Sequence, residues 1–266
     1  MKLSIITVNL NNASGLKKTC LSVVAQTFKE FEWIIIDGAS EDNSVDIIKQ
    51  YSNDVNYWIS EPDSGIYNAM NKGIKLATGE YLLFLNSGDY LLHPWTLQEV
   101  IDEIKASKYA DIYFSDAVLD TYQVLKFPEN ITLDFFQQDM INHQNCLIRR
   151  ELFKNRLYDE SYQLLADYHF YVKGVLEKNL TFFHINTHIA IYDMNGISNK
   201  NIEKQFSEIK SILKELGIEE KGLYRENNFS VWDILKKTKY VLPYGLFKLL
   251  LLFRDYLRSH KRFLRG

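Results

Sequence analysis

The chain has 266 residues, 46% of them hydrophobic and 24% charged, which is ordinary for a packed globular protein of one large domain or two modest ones. Its net charge of −3 conceals an asymmetry: Lys236 to Gly266 carries nine Lys/Arg against Asp255 alone, a local balance of +8, so the remainder sums to −11. No apolar run reaches the roughly 18 residues of a membrane span, and with basic residues confined to one end and no binding module, nucleic acid is not expected as a partner.

Taken in chain order, the start Met1-Lys2-Leu3 enters a strand over 3–9 at once, without a signal-peptide pattern. A helix near 14–26, a strand over 32–37, a helix near 43–52 and a short strand near 56–59 follow. Then come a loop, a helix near 66–77 and a strand over 80–86. Near-continuous apolar strands joined by helical crossovers predict a parallel sheet covered on both faces. Beyond 95 the alternation weakens: a helix near 95–107, a strand over 110–115 and an irregular stretch over 120–145. Helices near 149–154 and 166–178 and a strand near 181–192 complete this half. It is expected to finish the same sheet, with parts antiparallel. An amphipathic helix over 200–216 places Ile202, Phe206, Ile209, Ile212, Leu213 and Leu216 on one side. A final helical stretch, 231–264, is broken by Pro243 and Gly245. Cys20 and Cys146 fit no metal or redox spacing. A disulfide stays open, and a reduced cytosolic chain is the simpler reading.

Three of the apolar strands end in polar clusters. Ser4-Ile5-Ile6-Thr7-Val8-Asn9, Trp33-Ile34-Ile35-Ile36-Asp37-Gly38 and Leu82-Leu83-Phe84-Leu85-Asn86-Ser87-Gly88-Asp89 share this form. In an open parallel sheet, ligands bind outside the carboxyl ends of the strands. Asp37 at such an end suits a ligand contact, whereas Ser40, Asp42 and Ser44 read as turn and helix cap. The helix starting at Ile66 offers free N–H groups to a phosphate. Lys72, one to two turns further, would bring a cation to a diphosphate or simply be a solvated lysine. Asp89 fits the sparse style of Mg²⁺, which sits on one or two carboxylates plus substrate phosphates. Zinc spacings are absent. So are GxGxxG and GxxxxGK[ST], which removes the dinucleotide and P-loop readings.

These stretches, together with Glu61-Pro62-Asp63-Ser64-Gly65-Ile66-Tyr67-Asn68-Ala69-Met70-Asn71-Lys72-Gly73 and Ala77-Thr78-Gly79-Glu80-Tyr81, resemble the inverting family 2 glycosyltransferases of GT-A fold. The resemblance covers roughly 1–200 and is strongest over 1–92. It is nearest to a subgroup of bacterial polysaccharide synthesis, of the colanic acid kind, that carries Leu-Asn-Ser-Gly-Asp. It implies that Thr7 and Asn9 line the nucleotide pocket, that Asp37 bonds the base, and that Asp63 and Lys72 lie near the nucleotide and diphosphate. The family's metal motif, Asp-any-Asp, stands here as Asn86-Ser87-Gly88-Asp89. Asn86 is then a ribose acceptor and Asp89 the metal ligand. Asp167, in Leu165-Ala166-Asp167-Tyr168, is implied as the base that deprotonates the acceptor hydroxyl, and His143 and Gln144 as acceptor-site residues. Asp193-Met194-Asn195-Gly196-Ile197-Ser198 resembles a loop that closes over the diphosphate. His184 and His188 stand in a region where some relatives place a metal-binding His, with a structural role favoured for both.

The expected fold class is therefore α/β: a GT-A, Rossmann-like, mostly parallel sheet flanked by helices over 1–215, with nucleotide-sugar and acceptor halves at 1–100 and 101–215. A basic and apolar helical extension over 216–266 follows. Implied partners are a UDP- or GDP-sugar donor and a saccharide or lipid-linked acceptor, with Mg²⁺ or Mn²⁺ as cofactor. The tail would contact an anionic membrane surface, placing a cytoplasmic protein on the inner face of the plasma membrane. Two rivals stand beside this. A sugar nucleotidyltransferase would need a Gly-rich basic loop, which Asn9-Leu10-Asn11-Asn12 does not provide. A non-catalytic sugar-nucleotide-binding or scaffold protein draws on the reduced metal motif.

Overall fold

The structure is a computed structural model that describes residues 2–178, 180–194, 196 and 201–219. The expected extension lies outside the described residues from 220 onward, and with it the basic tail. Two sheets form. The larger has seven strands in the order β10-β6-β9-β4-β1-β2-β3. These are β1 (Leu3–Asn9), β2 (Phe31–Asp37), β3 (Tyr57–Ser60), β4 (Tyr81–Phe84), β6 (Ile112–Phe114), β9 (Cys146–Arg149) and β10 (Phe182–His184). All neighbouring pairs are parallel except those of β9, which runs antiparallel to both β4 and β6.

Alternation along these strands builds two cores. Ile6, Val8, Ile34, Ile36, Leu82, Phe84, Cys146 and Ile148 face one layer. Leu3, Ile5, Trp33, Ile35, Tyr81, Leu83 and Leu147 face the other. On the first layer pack α3 (Ile66–Leu76), α6 (Ala166–Leu176) and α7 (Ile202–Glu215). On the second pack α1 (Ala13–Val24), α2 (Ser44–Gln50) and α4 (Thr96–Ala106). A side-chain period of two leaves each strand apolar on both faces, as a doubly covered sheet requires. Cys20 and Cys146 are free and lie in opposite layers.

Three expectations are corrected. The second half does not only complete the first sheet: β5 (Tyr90–Leu91), β7 (Ala117–Leu119), β8 (Val124–Leu125) and β11 (Ala190–Tyr192) make a separate four-stranded sheet. The strand expected over 181–192 is two strands in two sheets, β10 and β11. The helix expected near 149–154 is the end of β9 followed by a short 3-10 turn, Arg150–Phe153. A short helix, α5 (Leu133–Phe136), lies within the irregular stretch. Among the described residues, no helix is long and apolar enough to cross a membrane.

Candidate active site

Register brings the polar strand ends together. Asn9 lies opposite Asp37, and Asp37 opposite Ser60, across three adjacent strands. Asp37 is fully buried. Its Oδ1 accepts from Asn9 Nδ2 at 2.7 Å and from Ser40 Oγ at 2.6 Å, and its Oδ2 from Ser60 Oγ at 2.6 Å and the Ser40 N–H at 2.9 Å. Burial works to raise this carboxyl, but the donors from Ser40, Ser60 and Asn9 outweigh it and hold the group below the usual carboxylate range. All four acceptor positions are thus filled from within the chain. Asp37 organises the strand ends, at the place where the sequence reading expects a contact to the base. Thr7 is likewise fully buried, and its hydroxyl accepts from the Trp33 indole N–H at 3.0 Å.

The Asp37 network makes a pH prediction. A carboxyl lowered on folding contributes stability above its unfolded value of about 3.9. That contribution is lost as pH falls through the lower folded value. Asp37→Asn is therefore expected to be less stable than wild type at neutral pH and to lose less between about pH 4 and pH 2, read from urea midpoints along that range.

Asn9 stands at the end of β1. Its Nδ2 is committed to Asp37, an acceptor only, so the amide orientation is fixed, and the buried Oδ1 has no partner. Beside it, Gly38 leaves room for Asp63: a Cβ at residue 38 would fall 2.5 Å from Asp63 Oδ2. Asp63 Oδ1 accepts the Gly65 N–H at 2.9 Å ahead of α3. Lys72 does not point an unpaired charge at the crevice. It pairs with Glu61 at 2.8 Å and donates to the Pro62 carbonyl at 2.9 Å, bracing the loop that carries Asp63.

The loop after β4 is held by α1. Asn12 Nδ2 donates to the Ser87 carbonyl at 3.0 Å, the Thr19 hydroxyl to the Asp89 carbonyl at 2.7 Å, and the Gly88 N–H to Thr19 Oγ1 at 3.0 Å. Gly88 has a φ of 110°, and a Cβ there would meet Asp193 Oδ2 at 2.5 Å. Only glycine admits that approach. The Asp193 N–H donates to Asp89 Oδ1 at 2.8 Å. Burial pushes the Asp89 carboxyl up to about 7; the Asp193 N–H offsets part of this and the Asp193 charge adds to it. Two carboxylates therefore meet at this loop. Among the described residues, no group of three or more His, Cys, Asp or Glu forms a complete protein cage for a metal. His184 is engaged elsewhere, with Asp116 at 3.0 Å.

Because β9 runs against its neighbours, the residues that precede it arrive where β4 and β6 end. The 3-10 turn His143–Asn145 thus sits at the crevice. His143 Nδ1 lies 2.7 Å from Asp167 Oδ2, and its Nε2 lies 3.0 Å from Asn86 Nδ2. The Tyr67 hydroxyl, 2.7 Å from Asp167 Oδ1 and 2.8 Å from the Leu164 carbonyl, shares its one proton between these acceptors. The Tyr168 N–H donates to Oδ1 at 2.9 Å. Asp167 opens α6, where a carboxylate is favoured by the helix dipole. His143 and Gln144, the residues expected at the acceptor site, are buried, with His143 tied to Asp167.

Two contributors went unassigned in the sequence. Tyr67 lies inside a quoted motif but had no role. Glu208 on α7 is buried, and its carboxylate accepts the N–H groups of Gln163, Leu164 and Leu165 at 2.9, 2.9 and 3.0 Å, fixing the loop before Asp167. Its place beside Ile209, on the helix that turns Ile212 and Leu213 inward, was its only signal.

A family profile described as Glycosyl transferase family 2 matches residues 4–157. The chain belongs to glycosyl transferase family 2. It is 31% identical over 222 residues to a "PGL/p-HBAD biosynthesis glycosyltransferase" of Mycobacterium bovis, covering 81% of this chain and 86% of that one. Among solved structures it resembles S. aureus TarS 1-349 in complex with UDP, with a TM-score of 0.65 at 21% identity. That match covers 80% of this chain but only 64% of the TarS chain. It also resembles the mannosyltransferase PcManGT from Pyrobaculum calidifontis in complex with GDP-Man and Mn²⁺, with a TM-score of 0.62 at 14% identity over 96% of this chain and 79% of that one. This family 2 glycosyltransferase thus has the GT-A fold that the resemblance implied.

Proposed function

We propose that this glycosyltransferase moves a sugar from a UDP- or GDP-sugar to a hydroxyl of a saccharide, carried on a lipid, with inversion, in the synthesis of a cell-surface polysaccharide or glycolipid. The observation that carries this reading is Asp167: a carboxylate at a helix N-terminus, held by Tyr67, Tyr168 and His143 beside the carboxyl ends of β1 and β4. In this reading the acceptor oxygen attacks the anomeric carbon from the side opposite the diphosphate. Its proton passes to Asp167, and the bond from carbon to diphosphate oxygen breaks with its electron pair, releasing the nucleoside diphosphate. One such displacement inverts the anomeric centre.

On the donor side, Asn9 Oδ1 and Asn86 Oδ1 are buried acceptors without partners, suited to N–H or O–H groups of a base and ribose. Asp63, seated over Gly38, adds a carboxylate beside Asn9. The 1–100 half would then hold the donor and 101–215 the acceptor. A divalent cation fits Asp89 and Asp193, since Mg²⁺ or Mn²⁺ takes one or two carboxylates and completes its shell with substrate phosphates. When bound, it offsets the charge growing on the departing diphosphate. The basic, apolar tail would hold the enzyme at an anionic membrane surface on the cytoplasmic side.

A thermal-shift panel of UDP-GlcNAc, UDP-glucose, UDP-galactose and GDP-mannose, with Mn²⁺ or EDTA, tests this. Specific binding raises the melting temperature by mass action. At least one donor is expected to do so with Mn²⁺ and to lose most of the gain in EDTA, with Asp89→Ala and Asp193→Ala each removing the Mn²⁺-dependent part. Equal shifts in EDTA would overturn the metal reading. Pyrophosphate release from a nucleoside triphosphate would replace sugar transfer with nucleotidyl transfer.

A further inference from the structure

One buried chain of hydrogen bonds, Asp167–His143–Asn86, joins the acceptor half to the donor half. Each member constrains the next. Asp167 receives the Tyr168 N–H on Oδ1, and its Oδ2, when ionised, can only accept, so His143 Nδ1 carries a proton. A neutral imidazole then has a lone pair on Nε2. That nitrogen faces the amide nitrogen of Asn86, which donates to it. The Asn86 amide is thereby locked with Oδ1 turned away from His143, buried and without a partner. An amide otherwise free to turn through 180° presents one chemistry, an acceptor, to whatever occupies the crevice.

We propose that His143 is a positioning residue that sets the direction of this relay: it points the Asn86 carbonyl oxygen at a donor hydroxyl and holds the Asp167 carboxylate toward the acceptor hydroxyl. The proposal rests on Asp167 acting as the base. It differs from a proton-accepting histidine, because His143 here spends both ring nitrogens on neighbours.

The relay needs one donor and one acceptor at residue 143, which a carboxamide supplies and a hydrocarbon does not. His143→Gln and His143→Leu are compared by hydrolysis of whichever panel donor is turned over, followed as released nucleoside diphosphate. His143→Leu should lower kcat by about 100-fold, the lower range for loss of acid–base function, and His143→Gln should stay within about tenfold of wild type. A Gln variant as slow as the Leu variant would overturn the proposal in favour of His143 taking the proton itself, and wild-type rates in both would overturn it outright. The second readout needs no turnover and no variant. In ¹⁵N-histidine-labelled wild type, the His143 resonances should show a protonated Nδ1 and an unprotonated Nε2. A protonated Nε2 would overturn the relay, since Asn86 would then have to face it with oxygen. Should the wild type turn over no donor at all, sugar transfer fails as a reading while this tautomer still decides the relay.

Discussion

Asp167→Asn is expected to lower turnover by about 10²–10⁴-fold, the usual worth of a positioned general base, while keeping most of the thermal shift by UDP with Mn²⁺. The substitution conserves shape. Its Oδ1 still accepts from Tyr168 and Tyr67. What it removes is the ability to receive a proton from the acceptor. It also turns an acceptor into a donor facing His143 Nδ1, which forces the other tautomer on the imidazole and a turned amide on Asn86. The lost base lies on the chemical step, and the turned amide removes one donor contact at Asn86 while those at Asn9 and Asp63 stand. Steady-state hydrolysis of the panel donor separates kcat from KM. Turnover within a few-fold of wild type would remove Asp167 from the reaction.

Glu208→Ala carries the largest expected loss of stability. The side chain is buried and takes three backbone N–H groups in succession, from Gln163, Leu164 and Leu165. A buried donor left unpaired costs about 1–3 kcal/mol, so removing the shared acceptor costs about 3 kcal/mol or more. For a chain of this size that corresponds to roughly 10 °C in melting temperature. Glu208→Gln keeps one acceptor oxygen and should lose less than half as much. Exchange at amides 163–165 should be slow in the wild type and fast in the Ala variant. Because Leu164 also accepts from Tyr67, the same change loosens the seat of Asp167, and misplacement of about 1 Å can cost about 100-fold in rate. Unchanged melting and exchange would show that the loop is fixed by other contacts.

The parts of this fold that could be read in the sequence are those with length. β1 and β2 run seven residues each, long enough to show an apolar run and a polar end. The second sheet could not be read. β5 and β8 are two residues long and β7 and β11 three, too short for any period to declare itself. In the site, residue types at strand ends were legible but their partners were not. The partners of Asp37 were hidden because Asn9 and Ser60, which fill its lone pairs, stand 28 and 23 positions away. Thr7 shares a strand with Asn9 at the same parity, but one pleat back, where it meets Trp33. His143 was legible as a site residue and not as a tie, since its partners Asp167 and Asn86 come from α6 and from the loop after β4.

The reversed strand β9 has a consequence for how such an enzyme can change. His143 and Gln144 are delivered by the entry to β9, whose register is pinned on both sides by β4 and β6. Everything between β8 and that entry, residues 126–142, therefore reaches the site through a fixed doorway. This stretch holds Phe127, Phe136 and Ile141 in the core, so only its exposed positions can change without disturbing the two residues at the doorway. In the proposed reading, a new acceptor preference would arise by rewriting those exposed positions while the strand ends that face the donor stand untouched.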